Sequence, residues 1–341
     1  MIPRLSDLFP LLLVSALGAL AAGPGLIRIA ARMGLVDLPG SQPHKRHGRP
    51  TPLVGGLTLG LAMSLAYGVI RPAVDRDVAG ILVGAVVMLG WGLVDDRVSL
   101  PPLAKLFGQA ASCAVLLAFG VQVHATRLPA LDIGLTVLWV IGLVNAFNFV
   151  DSMDGLALGL GSIAAAFLML VMVDSRQPEL AGLAAVLLGA AAGAFFFNAA
   201  PARMFLGDSG AQVLGFLLAG LGIAYTPGQA GLPQALTWFT PILVLGVPIF
   251  DTALVVVSRL RRRRPVYRGG QDHTYHRLVA LGLDPTRSVL AMQLAALTLG
   301  LVAFMALDFS IVAANLLFGA IVLVGCVGVA LLQTVAGLEG S

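Results

Sequence analysis

The chain has 341 residues, 58% of them hydrophobic and 11% charged, with a mean hydropathy of +0.94 and a net charge of +4. Soluble domains carry roughly 25% charged residues, so this composition excludes a water-soluble globular protein and specifies a polytopic membrane protein. No polar stretch is long enough to build a second domain, and residues 1–341 read as one unit.

A window of about 19 residues yields about eleven apolar spans. They lie near 8–30, 53–70, 78–94, 103–123, 132–150, 156–173, 180–198, 209–226, 236–258, 288–307 and 309–336. The first contains LLLVSALGALAAG, Leu11 to Gly23, which has the look of a signal peptide. Arg4 is offset by Asp7, however, and apolar character continues to Ile29, so it reads as a retained helix. The last two spans are separated only by Asp308 and its neighbours. Cys113 and Cys326 lie in separate apolar runs and read as membrane-packed thiols. The expected fold is an all-α integral membrane bundle of about 10–11 transmembrane helices.

Charge orients this bundle. Of the 21 Lys and Arg residues, sixteen fall in connections that follow odd-numbered spans. Only Arg71, Arg76, Arg127 and Arg176 fall in the even connections, and Arg4 lies in the N-terminal tail. The positive-inside rule then places the N-terminus outside and the odd connections in the cytoplasm.

The polar clusters share that side. They are HKRHGRPTPLVGG (His44–Gly56), DDRVSLPPLAKLFGQ (Asp95–Gln109), NAFNFVDSMDGLALG (Asn145–Gly159), NAAPARMFLGDSG (Asn198–Gly210) and GGQDHTYHRL (Gly269–Leu278). An intramembrane carboxylate costs about 2.5–3.5 kcal/mol at the helix centre, so repeated retention of such groups signals function. Gly55-Gly56, Asp154-Gly155 and Gly207–Gly210 should open helices whose N-termini favour anions such as phosphate. Glycine there would let backbone approach a ligand. Asp95, Asp96, Asp151, Asp154 and Asp208 would repel that phosphate, and a magnesium ion resolves the conflict by taking carboxylate or amide oxygens together with substrate phosphates. Taken singly, each feature has a plainer account: Asp151, Asp154 and Asp208 as helix caps, Arg261–Arg264 as topogenic charges, and His273 and His276 as loop residues. Asp251, in PIFDT, stands out as a buried carboxylate expected to pair with a loop arginine.

The ordered set PxPxxGG, DDxxxLPPxxKLxxQ, NxxNxxDxxDG, a phenylalanine before GDSG, PIFDT and a His-rich loop resembles the polyprenyl-phosphate N-acetylhexosamine-1-phosphate transferases. The resemblance runs from about His44 to Leu278 and is closer to the GlcNAc-1-phosphate branch than to the phospho-muramoyl-pentapeptide branch. It implies attack of a polyprenyl phosphate on the β-phosphate of a UDP-aminosugar, with release of UMP. It further implies that Asp208 and Asn148 hold Mg2+ (or Mn2+ in its place) and that Asp95 and Asp96 position or deprotonate the lipid phosphate. Lys105 would neutralise phosphate charge. His47, Asp151, Asp154, Asn198 and Phe205 would contact substrate, with His273, His276 and Arg277 closing over the diphosphate. The family also implies the bacterial cytoplasmic membrane, a homodimer and no nucleic-acid partner. Two residues depart from its pattern: Ser152 where glycine is usual, and Tyr275 in place of a histidine. A secondary transporter is the competing class, but transporters place ionisable groups near the midplane between inverted repeats, and no repeat is visible here.

Overall fold

The computed structural model describes residues 5–39, 49–126, 128–226, 238–266, 270 and 272–335. Helices occupy all the expected spans. They are α1 (Leu5–Ile29), α2 (Gly55–Ile70), α3 (Arg76–Val98), α4 (Pro102–Ala118), α5 (Pro129–Val150), α6 (Leu156–Asp174), α7 (Pro178–Asn198) and α8 (Gly207–Ala224). Then come α9 (Thr240–Val244), α10 (Gly246–Arg261), α11 (Thr274–Ala280), α12 (Pro285–Met305) and α13 (Ile311–Leu332). Among the described residues, 8 helices are long and apolar enough to cross a membrane. This is a multi-pass all-α membrane protein.

Two local features differ from a simple reading of the spans. The ninth is broken at Leu245 into α9 and α10. Pro248 has no N–H to offer the Val244 carbonyl one turn earlier, which releases the helix there. A two-stranded ribbon, β1 (Val36–Asp37) with β2 (Thr51–Pro52), precedes α2 and pairs Val36 with Pro52. At the last boundary, Ser310 ends the turn around Asp308 and caps α13, its hydroxyl accepting from the Ala313 N–H.

The core is built around α7 and α8, whose apolar windows are 78% and 89% buried, whereas that of α13 is 0% buried. α8 packs against α3 and α5, and α7 against α1 and α6. Small residues set the spacing, as is usual where helices associate in lipid. A Cβ on Gly56 would come within 2.5 Å of Ser209 Oγ and 2.7 Å of the Gly210 nitrogen. One on Gly92 would overlap the Ser209 backbone. α2, α3 and α8 therefore meet backbone to backbone at one end of the bundle.

Candidate active site

That end gathers most of the expected residues. α3 ends with Asp95 and Asp96, α4 contributes Lys105 from its first turns, α5 ends with Asn148, and α8 begins at Gly207-Asp208. Lys105 Nζ lies 2.7 Å from Asp95 Oδ2 and 3.1 Å from Asp208 Oδ2, bridging two helices. Asn148 Nδ2 donates to Asp208 Oδ1 at 2.5 Å. Asp95 is buried and also accepts from the Leu100 N–H at 2.8 Å.

Asp96 does something different from its neighbour. Its two oxygens accept from the backbone N–H groups of Asp208 (2.7 Å) and Ser209 (3.2 Å), so it caps α8 from another helix. The leading amides of the other two glycine-opened helices are engaged as well. Gly55 and Gly56 N–H donate to the carbonyls of Phe205 and Leu206, and Gly155 N–H donates to Asn198 Oδ1. The first amides of these helices are thus taken by the protein itself, which departs from the expectation of N-termini open to phosphate, and Gly55 and Gly56 admit neighbouring backbone.

Asn198 is buried, with its other amide end donating to the Met204 carbonyl, and Asp154 Oδ2 accepts from the Ala202 N–H. Both brace the α7–α8 connection. Phe205 is half-buried at a bridge to Leu53. Asp151 closes α5, and its carboxyl is held well above the ordinary carboxylate range by desolvation first, then by Asp208, Asp96 and Asp154. His47 lies outside the described residues.

A second cluster adjoins the first. Asp251 accepts from His273 Nδ1 at 2.8 Å and from the Thr274 N–H at 2.6 Å, so its partner is a histidine and not the arginine expected. The arginines instead meet Asp272, which binds Arg259 at 3.2 Å and Arg262 at 3.3 Å. Burial works against the Asp272 charge, but Arg259 and Ser258 outweigh it and lower its carboxyl below the usual value. Arg277 is fully buried, donating to the Ser258 hydroxyl and to the carbonyls of Asp272 and Leu332. It pins α11 to α10 and α13 and presents no free guanidinium to a diphosphate.

The His273 ring stands 5.9 Å from Phe149, next to Asn148, and the Ser152 hydroxyl donates to the Phe149 carbonyl at 3.2 Å. The two positions that depart from the family pattern thus each meet one member of the Phe149–His273 pair, Ser152 bonded to the Phe149 carbonyl and Tyr275 stacked on His273. The Tyr275 hydroxyl also lies 2.6 Å from His276 Nε2, and burial pushes it up to about 12, so it stays protonated at neutral pH.

Sequence reasoning missed Gln212, whose Nε2 approaches Asp95 Oδ2 at 3.4 Å. The signal was present, since Gln212 follows Asp208 by four residues and shares its helix face. It also missed Asp272, and Gln293, which donates to the Gly155 carbonyl at 3.0 Å.

Among the described residues no three His, Cys, Asp or Glu side chains form a ready-made metal cage. The donor set still fits magnesium, which binds through one or two carboxylates, waters and substrate phosphates. Asp208 and Asn148 offer hard oxygen chemistry. Among the described residues Lys105 is the one cation paired with the group Asp95, Asp96, Asp151, Asp154 and Asp208.

Fold and site together define a multi-pass membrane protein with a carboxylate-rich, lysine-bridged centre at one end of the bundle. The chain belongs to glycosyl transferase family 4, whose description matches residues 78–226. It is 31% identical over 296 residues to a probable undecaprenyl-phosphate N-acetylglucosaminyl 1-phosphate transferase of Bacillus subtilis, covering 83% of this chain and 80% of that protein. It is 32% identical over 319 residues to the decaprenyl-phosphate N-acetylglucosaminephosphotransferase of Mycobacterium tuberculosis, covering 83% and 78%. To the undecaprenyl-phosphate alpha-N-acetylglucosaminyl 1-phosphate transferase of Escherichia coli K12 it is 24% identical over 294 residues, covering 82% and 78%.

Proposed function

We propose that this protein transfers N-acetylglucosamine-1-phosphate from UDP-N-acetylglucosamine to a polyprenyl phosphate, releasing UMP. The observation that carries the reading is the convergence of Asp95, Lys105, Asn148 and Asp208 from four helices, in a chain whose relatives are named for that transfer. In this reading the clustered end faces the cytoplasm of a bacterium, at its inner membrane, where nucleotide sugars are available; the distribution of Lys and Arg supports that orientation.

The chemistry needs little covalent machinery. A phosphate monoester has its second pKa near 6, so the lipid phosphate is already largely dianionic at neutral pH. One of its oxygens attacks the sugar-bearing phosphorus of the nucleotide sugar. The bond from that phosphorus to the bridging oxygen breaks, and the electron pair leaves with UMP. Positioning and charge neutralisation dominate such transfers. Lys105, held between Asp95 and Asp208, is placed to meet the phosphoryl charge as the two anions come together. Asp95 sets the lysine in place from below, and Asp96 fixes the start of α8 and with it Asp208. Asp208 and Asn148 would hold Mg2+, which when bound offsets the charge of the diphosphate. The walls of the nucleotide site fall to the Asp151–Asp154 turn, Phe205 and the His273–His276 segment, braced by Asn198 and Arg277.

The test is UMP release by purified protein in detergent with Mg2+, across a panel of UDP-sugars, with and without undecaprenyl phosphate. Release that requires the lipid and is strongest with UDP-N-acetylglucosamine is the expected result. Release with another UDP-sugar would keep the reaction and change the sugar. No lipid-dependent release from folded protein would overturn the reading.

A further inference from the structure

Resting on that reading and deepening it, we propose that Asp251 is a positioning residue, acting on the reaction through the imidazole of His273. The Asp251 side chain is fully buried and makes two bonds, one to His273 Nδ1 (2.8 Å) and one from the Thr274 backbone N–H (2.6 Å). The first bond sets the imidazole. An ionised carboxylate only accepts, so the nitrogen facing it carries the proton, and the hydrogen bond of one ring nitrogen decides the state of the other. Nε2, the ring nitrogen not engaged by Asp251, makes no hydrogen bond among the described residues.

The second bond sets the helix. Thr274 is the first residue of α11, and His273 at its N-cap supplies no side-chain bond of its own. Asp251 caps α11 from α10 and so fixes the backbone that carries His273 as well as its ring. The ring is further held between Phe149 and Tyr275, each with its centroid 5.9 Å away. Phe149 follows Asn148, so the imidazole stands beside the end of α5 that reaches Asp208. With the proton on Nδ1, Nε2 is an acceptor, and the ligand chemistry that suits it there is a hydroxyl or N–H donor of the nucleotide sugar.

A capping carboxylate with no influence on the ring is the competing account, and Asp251→Asn separates the two. Asparagine keeps an acceptor for the Thr274 N–H, but its amide no longer demands a proton on Nδ1. Outer-shell partners of this kind typically change function by about 10–100-fold. We expect Asp251→Asn to lower kcat for UDP-N-acetylglucosamine at least ~10-fold while KM and the thermal midpoint stay near wild type. In the His273→Ala background the same change should add less than about 2-fold, because residues that act as a unit are not additive. Full multiplicative loss in the double variant would overturn the proposal. A readout independent of turnover is the 15N spectrum of imidazole-labelled protein, with the His273 signal identified by its loss in His273→Ala. We expect an Nδ1-protonated ring in the wild type and loss of that single state in Asp251→Asn; an unchanged ring would overturn the proposal. A wild type that shows the Nδ1-protonated ring but releases no UMP would count against the transferase reading and not against the hold of Asp251 on His273.

Discussion

Asp95 and Asp96 are chemically identical neighbours, yet successive residues on a helix point about 100° apart, and here that rotation divides their work. Asp95 turns inward to Lys105 and Gln212, while Asp96 reaches the first amides of α8. The sequence showed a pair of carboxylates but not which neighbour each would meet, because that depends on how α3 is rotated against α4 and α8. Lys105→Ala should lower kcat/KM by about 10²–10³, the usual loss when one preorganised charge-stabilising group is removed. Arginine should restore little of it, since a planar fork does not replace a compact ammonium between two carboxylates. Steady-state UMP release checks both. Asp208→Asn should abolish turnover while the protein elutes from detergent gel filtration as the wild type does; wild-type-like turnover would remove Asp208 from the metal assignment.

At the scale of elements, helix ends are joined by caps that come from elsewhere in the chain. Asp96 caps α8 across 112 positions, Asn198 holds Gly155 across 43, and Asp251 caps α11 across 23. Capping signals are sought immediately before a helix, so the glycine-opened N-termini read from sequence as vacant and ready for phosphate. Asp96→Ala should destabilise the protein by about 1 kcal/mol, and Asp96→Asn by less, because an amide oxygen still accepts from one of the two N–H groups. Thermal unfolding in detergent measures both. The α10–α11 junction carries a pH signature. The Asp272 carboxyl titrates below its ordinary value in the folded protein, so its stabilisation is complete above the unfolded value of about 3.9. It is lost as pH falls through the lower folded value. The gap in thermal midpoint between wild type and Asp272→Asn should therefore be full at neutral pH and close in strong acid.

For the whole molecule, the order of the apolar spans was legible because about 19 apolar residues are a strong signal, whereas among the described residues eight of the eleven form helices long and apolar enough to cross a membrane. The break at Leu245 was not legible, since its cause is one proline inside an apolar run. The proposed orientation rests on arginine placement, and Arg261, Arg263 and Arg264 are exposed past the end of α10 or at its last turn. A cysteine replacing Arg263 should react with an impermeant maleimide only after cells are opened, whereas one replacing Arg176 should react in intact cells. The reverse pattern would invert the topology. Hydropathy does not set burial: α8 has a mean hydropathy of 1.2 and is 89% buried, whereas α13 and α6 both have 2.5 and are 0% and 67% buried. The least apolar of the eight membrane-length helices is the one most enclosed by its neighbours.

That enclosure bears on how the chain is made. A segment leaving the ribosome is offered to the bilayer largely on its own merits, and by that measure α8 is a poor candidate, with Asp208, Ser209, Gln212 and five glycines among its 18 residues. Its natural surroundings are α3 and α5, which have already been synthesised when it emerges. Biogenesis is then ordered by chemistry: earlier helices must wait at the insertion site as a solvent for a later one that lipid alone would accept reluctantly. Any lesion that scatters them would be felt first as a failure of membrane integration, before a single sugar is transferred.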